Sequence, residues 1–229
     1  MKTLLITGCN RGIGLELTRQ YVQSGWRVHG CCRKPSPDLQ QLQEEYSQQL
    51  VVHTLEVDSE RSIAALAEAI GSEPIDLLLN NAGVYGGDGN RLGSLDVDEW
   101  LQVVRINTIA PLLMAQTFLD NVAASKGKTI AAVSSKVGSI EDNQRGSTYM
   151  YRSSKTALNQ AMKSLSIDTA ELGIKAVVLH PGWVQTDMGG PNALITTEQS
   201  ATGLKKVLDE LTPEQSGHFI NYDGTEIPW

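Results

Sequence analysis

Tyr151 and Lys155 stand four positions apart in Tyr151-Arg152-Ser153-Ser154-Lys155. On a helix, that spacing puts both side chains on one face, near enough to interact. A free phenol ionises at about pH 10. A neighbouring ammonium favours the phenolate, so the pair predicts a tyrosine pKa lowered toward neutrality and a usable acid and base. The spacing alone is a common accident, and its surroundings give it weight. A stripe of Leu158, Ala161, Met162 and Leu165 continues an amphipathic helix. Tyr149 has no Lys four residues on and is a poor rival.

Two further residues could join this chemistry. An aliphatic run ends in Ala132-Val133-Ser134-Ser135. A serine at the C-terminal end of a parallel strand points into the crevice where α/β sheets bind ligands. There a hydroxyl can donate to a carbonyl oxygen and stabilise developing charge. Alternation sends the two serines to opposite faces, and capping a local turn is the competing role for either. Asn107 lies four residues before Pro111 in a helical stretch. Proline has no N–H, so the carbonyl of residue 107 loses its helical donor and can hold a water. Asn107 as a side chain that stabilises the kink is an alternative compatible with that.

A third constellation is Thr7-Gly8-Cys9-Asn10-Arg11-Gly12-Ile13-Gly14, between a strand-like run and a helix-like stretch. Glycines let backbone approach a pyrophosphate, and a helix N-terminus supplies N–H donors. The next strand ends Cys31-Cys32-Arg33-Lys34, with no carboxylate to bind a ribose 2′-hydroxyl. Arg33 can pair with a 2′-phosphate, and Arg11 could reach the same group. Both as solvated surface charges is the alternative. The pattern favours NADP(H). Cys9 has no basic partner that would make it a catalytic thiol.

These residues need a scaffold that sets them at one edge. Strand-like runs at Lys2–Thr7, Arg27–Cys32, Leu50–Val57, Ile75–Leu79, Lys128–Val133, Ile174–Leu179 and His218–Asn221 alternate with helix-like stretches. The helices are expected from Ile13 to about Gly25, Ser36 onward, Glu60–Ile70, a long one from about Asp96 through Pro111, Tyr151–Leu172 and Thr197–Leu211. Solidly apolar strands in β-α order predict an α/β fold: a doubly wound parallel sheet of about seven strands with helices on both faces. No repeat or linker interrupts it, so residues 1–229 read as a single domain.

A chain of 229 residues can bury about 70% of its unfolded surface, enough for a core without staples. With 26 acidic against 19 basic residues, the net charge of −7 disfavours a nucleic-acid partner. No apolar run approaches a membrane span. The three cysteines have no metal spacing, which points to free thiols in a reducing cytoplasm.

The Gly-x3-Gly-x-Gly turn, Asn80-Asn81-Ala82-Gly83, Ser135, Tyr151-x3-Lys155 and Pro181-Gly182-Trp183-Val184-Gln185-Thr186 occur in one order. In this the chain resembles the short-chain dehydrogenases/reductases. The loop from Gly138 to Tyr149, the PGWVQTDMGG segment and the C-terminal NYDGTEIPW are most similar to C-factor and sniffer-type carbonyl reductases within that family.

The resemblance implies Asn107, Ser135, Tyr151 and Lys155 as the catalytic set, with a water on Asn107 linking Lys155 to solvent. It implies that Lys155 also binds the cofactor ribose. Gly8, Asn10, Arg11, Gly12, Ile13 and Gly14 would hold the pyrophosphate side, and Asn81, Ala82 and Gly83 the adenosine half. Pro181, Gly182, Val184 and Thr186 would grip the carboxamide. Glu56-Val57 stands where the family touches adenine, with Asp58 as the competing carboxylate. Ser135 precedes Tyr151 by sixteen residues, a longer gap than is common in the family, so the intervening loop is enlarged.

The implied activity is NADPH-dependent reduction of a small-molecule aldehyde or ketone. Two rivals are an NAD-dependent alcohol dehydrogenase of the same fold and a dinucleotide-binding signalling or redox-sensing protein. A homodimer and a homotetramer are both open. Only Met188–Thr196 separates Asp187 from the next helix, and Gly189, Gly190 and Pro191 there favour a turn over a helical lid.

Overall fold

The computed structural model describes residues 1–87 and 90–229. Asp88 and Gly89, in the loop expected after the fourth strand, lie outside the described residues.

The chain runs β1 (Thr3–Thr7), α1 (Gly12–Gln23), β2 (Arg27–Cys32), α2 (Pro37–Glu45), β3 (Leu50–Thr54), α3 (Glu60–Ile70) and β4 (Leu77–Asn80). Then follow α4 (Val97–Val104), α5 (Ala110–Thr117), α6 (Leu119–Ala123), β5 (Thr129–Val133), α7 (Tyr149–Asp168), β6 (Lys175–His180), α8 (Thr197–Asp209) and β7 (Phe219–Asn221). The seven strands form one sheet in the order β3-β2-β1-β4-β5-β6-β7, and every pairing is parallel. β1 and β5 are buried along their whole length, as strands covered on both faces must be.

Alternating side chains divide the core in two. Leu4, Ile6, Val28, Cys32, Leu77 and Leu79 pack with Leu17 and Leu204 on the α1 and α8 side. Leu5, Cys31, Leu78, Ile130 and Ala132 pack with Ile63, Phe118, Leu158 and Met162 on the other. The strand order reverses between β1 and β4, which opens a crevice beyond the C-terminal ends of the strands.

Several expected bounds move. β3 stops at Thr54, where its register with β2 runs out opposite Cys32, so Leu55–Val57 is irregular. α7 starts two residues early, at Tyr149, and stops at Asp168 before a 3₁₀ turn at Ala170–Leu172. The long helix through Pro111 is instead α4, a π-helical turn at Arg105–Ile109, and α5. The Ala110 N–H bonds the Arg105 carbonyl, five residues back. This widening places Pro111 in the first turn of α5, where a missing N–H is tolerated.

Candidate active site

The glycine turn is held from both sides. Its Gly8 N–H donates to the Cys31 carbonyl at 2.8 Å. Asn81 Nδ2 donates to the carbonyls of Thr7 and Gly8, each at 3.0 Å. Thr7 Oγ1 accepts the backbone N–H groups of Asn81 and Ala82, each at 3.1 Å. Asn10 ties the turn to the start of α2 by accepting the Ser36 N–H at 2.5 Å. The fit is tight enough to exclude side chains: a Cβ on Gly14 would lie 2.1 Å from the Gly8 oxygen, and one on Gly8 2.9 Å from the Ala82 Cα. Behind the turn, α1 begins at Gly12 with no side-chain cap on its N-terminus. Its first N–H groups are left to a ligand or water, an arrangement suited to a pyrophosphate. Gly14→Ala is expected to lower stability by about 1–3 kcal/mol, the usual cost of overpacking. Thermal unfolding beside the parent checks it.

The turn forms one wall of a cleft of about 1010 Å³. Gly8, Asn10, Arg11, Gly12, Ile13, Gly14, Arg33, Val57, Asn81, Ala82, Gly83, Tyr151, Lys155, Pro181 and Thr186 all line it. Three predicted contacts do not. Glu56 is exposed outside the wall, while Asp58 lines it and accepts from Gln102 Nε2 at 2.6 Å. Gly182 faces Ile195 and Tyr222. Val184 is buried and bridges Ile195, its carbonyl accepting the Thr186 hydroxyl at 3.3 Å. The Arg11 guanidinium pairs with Asp187 at 2.7 Å, both groups exposed. A second concavity, of about 1110 Å³ between α8 and the end of β7, contains none of the predicted residues.

Of the four predicted catalytic residues, Tyr151 and Lys155 line the cleft, whereas Ser135 and Asn107 lie outside its lining. Lys155 is buried, its ammonium 2.9 Å from the Val133 carbonyl and 5.8 Å from the Tyr151 ring centre. Burial lowers its pKa to about 8. The expected fall in the Tyr151 pKa does not occur. Burial of the phenol raises it to about 12, against a hydrogen bond from Ser135 that lowers it. The Lys155 ammonium is turned to a carbonyl, and desolvation, with a smaller contribution from Tyr85, outweighs the Ser135 hydrogen bond. The phenol therefore keeps its proton throughout neutral pH.

Ser134 and Ser135 part company as the strand pleat requires. Ser134 is buried and donates to Asn159 Oδ1 at 2.6 Å, whereas Ser135 caps the turn after β5 by accepting the Val137 N–H at 3.4 Å and also faces the Tyr151 phenol, whose pKa it lowers. Asn107 is fully buried in the π turn. Its Oδ1 accepts the Val84 N–H at 2.9 Å, and its Nδ2 donates to the Val84 carbonyl at 2.8 Å and to Ser154 Oγ at 3.0 Å. The side chain thus clamps the segment after Gly83 against α7.

Two positioning residues were not legible in the sequence. Thr148 starts α7 in the left-handed region, φ 50°, without a side-chain cap. Asn90, sixty residues away and buried, does that work: its Oδ1 accepts the Met150 N–H at 2.8 Å and its carbonyl the Tyr149 N–H at 3.3 Å. No local pattern announces a cap supplied from another loop. Tyr85 lies ring to ring with Tyr151, centres 4.9 Å apart.

His180, at the end of β6, accepts the Lys136 N–H on Nδ1 at 3.2 Å and so fixes the turn after Ser135. Burial, helped by the Lys136 ammonium, lowers its pKa to about 4, against Asp223 and Asp142. An unfolded histidine binds its proton at about 6.5. Between those values the unfolded chain holds more protons, so stability is expected to fall as pH drops from about 6.5 to 4. His29 and His53 are also lowered, chiefly by burial, and share the effect. Melting temperatures across that range should fall less steeply in His180→Gln than in the parent.

Comparison with known proteins fits this geometry. The family model for short chain dehydrogenase matches residues 2–221. The chain belongs to the short-chain dehydrogenase family. It is 42% identical to C-signal of Myxococcus xanthus over 72% of this chain and 99% of that protein. Among solved structures, it matches the carbonyl reductase Sniffer of D. melanogaster at 32% identity and TM-score 0.92, covering all of both chains. An NADPH-bound carbonyl reductase from chicken fatty liver matches at 35% identity and TM-score 0.91, over 100% of this chain and 99% of that one. As a short-chain dehydrogenase, the chain is an oxidoreductase that binds a nicotinamide dinucleotide, and no helix among its described residues is long and apolar enough to cross a membrane.

Proposed function

We propose that this protein is an NADPH-dependent carbonyl reductase acting on small or aromatic aldehydes and activated ketones, with residues 1–229 as a single domain. The observation that carries the reading is the protonated Tyr151 phenol beside Ser135 at the end of a dinucleotide-sized cleft. A reduced nicotinamide bound there supplies a hydride to the carbonyl carbon. Ser135 orients the carbonyl oxygen by donating to it, and Tyr151 gives that oxygen a proton. Lys155 carries positive charge under Tyr151 and hydrogen-bonds the cofactor ribose. Asn107, through its main-chain carbonyl, anchors the water that returns a proton to Lys155.

Uncapped N–H groups of α1 receive the pyrophosphate, and Arg33, exposed on the cleft wall, meets the 2′-phosphate. Thr186 and Pro181, on the cleft wall, would grip the carboxamide, and Val57 and Asp58 would meet adenine. Substrate selection falls to an open side. Residues 188–196 form turns without a helix, and Trp183, Met188 and Leu194 are exposed there. An open pocket offers few differential contacts, which favours breadth with high KM.

The likeness to C-signal supports a second reading, a signalling protein that binds the dinucleotide with little turnover. NADPH oxidation with a panel of unrelated aldehydes and ketones separates the two. Turnover of several, faster with NADPH than NADH, is the expected result. Tight NADPH binding with no turnover of any carbonyl would favour the second reading.

A further inference from the structure

Cys9 and Cys32 have no part in the chemistry above, yet the fold brings them together under the cleft. Cys9 belongs to the glycine turn, and its N–H donates to the Cys31 carbonyl at 3.3 Å. The turn is thereby stitched to the last residues of β2. Along that strand Gly30 and Cys32 share one face, while Cys31 points to the other and packs in the opposite core layer. The Cys9 sulfur rests on Gly30, where a Cβ would stand 3.1 Å from it. Cys32, two residues further along the same face, belongs to the same buried cluster, and the two thiols shift each other's ionisation. Cys31 and Cys32 both border the cleft; Cys9 and Cys31 are fully buried, while Cys32 keeps 6% of its surface.

The two thiols differ in chemistry. The Cys32 thiol is lowered by the hydrogen bond from Cys9, against burial, with help from the Lys34 N–H. Cys9 is raised, because its S–H is given to Cys32 and because it is buried. Cys31 is raised by burial. One reachable sulfur with thiolate character beside a second that can resolve it is the arrangement of a redox-sensitive pair.

We propose that Cys9 and Cys32 form a peroxide-sensitive disulfide that closes the dinucleotide cleft. The Cys32 thiolate attacks hydrogen peroxide. A sulfur–oxygen bond forms as the oxygen–oxygen bond breaks, and the departing hydroxide takes up the proton Cys32 had released, leaving as water. The Cys9 sulfur then attacks the Cys32 sulfenic acid. A sulfur–sulfur bond forms, the sulfur–oxygen bond breaks, and the hydroxyl leaves with the Cys9 proton as a second water. Two thiols give up two electrons, and peroxide is reduced to two waters.

Joining the sulfurs draws the glycine turn onto β2. That turn has no slack, since Gly8 and Gly14 already exclude a Cβ. Its N–H groups move out of register with a pyrophosphate. The consequence for binding rests on the proposed dinucleotide site, whereas the cross-link itself does not.

The test treats the reduced protein with hydrogen peroxide. Titratable thiols in denaturant should fall from three to one, and a peptide map should show Cys9 joined to Cys32. NADPH affinity, read by fluorescence, should weaken roughly tenfold or more and return with dithiothreitol. Saturating NADPH should slow the cross-link. Cys9→Ser and Cys32→Ser should each abolish it, and Cys31→Ser should leave it in place. Three surviving thiols, a cross-link through Cys31, or unchanged NADPH affinity in the cross-linked protein would overturn the proposal. A cross-link in a protein whose reduced form binds no NADPH would instead refute the dinucleotide reading and the closure built on it.

Discussion

Replacing Tyr151 with phenylalanine is expected to cut kcat by at least ~10²-fold, the usual span of a general acid, with NADPH affinity nearly unchanged. The change removes one hydroxyl and leaves the ring that packs against Tyr85. Ser135 loses its partner but can still orient a carbonyl oxygen. Two neighbouring donors are already engaged: Lys155 is turned to the Val133 carbonyl, and Ser134 is tied to Asn159. Steady-state rates with the best carbonyl of the panel, set beside NADPH binding by fluorescence, check the split. Near-parental turnover would take Tyr151 out of the mechanism.

Arg33→Asp should erode or reverse the preference for NADPH over NADH. A charge-assisted hydrogen bond contributes about 1.5–3 kcal/mol, and the new carboxylate adds repulsion toward a 2′-phosphate. Together they shift the ratio of specificity constants by about 10²-fold. Arg33 is exposed, so the shift should shrink as salt is added. Arg11 offers little compensation while it is paired with Asp187 at 2.7 Å. Equal specificity constants for both cofactors in the parent would refute the role given to Arg33.

What was legible in the sequence is what short range decides. The glycine turn could be read because its backbone demands glycine locally, and Gly14 shows why, with 2.1 Å to the Gly8 oxygen. The sheet could be read because its buried strands are apolar through their middles, with only threonines at the ends. Tyr151 and Lys155 share a face by helical period alone.

What failed depends on distant atoms. The sign of the Tyr151 shift turns on burial, which outweighs the Ser135 hydrogen bond. Asn90 caps α7 across sixty residues. Gly182 and Val184 sit in the right segment but face Ile195, an orientation set by the bridge that closes it. Pro111 announced an irregular helix, yet the π turn forms just before it, at Arg105–Ile109, where Asn107 is drawn to Val84 by three side-chain hydrogen bonds shared with Ser154.

The most direct measurement is isotope transfer. The protein is incubated with benzaldehyde and NADPH deuterated at both C4 positions of the nicotinamide, and the product is examined by mass spectrometry and NMR. The proposed reaction predicts benzyl alcohol with one deuterium on the carbinol carbon and a solvent-derived hydroxyl proton, and almost no product from Tyr151→Phe. Oxidation of the deuterated NADPH without deuterium in the alcohol would contradict direct transfer in this cleft.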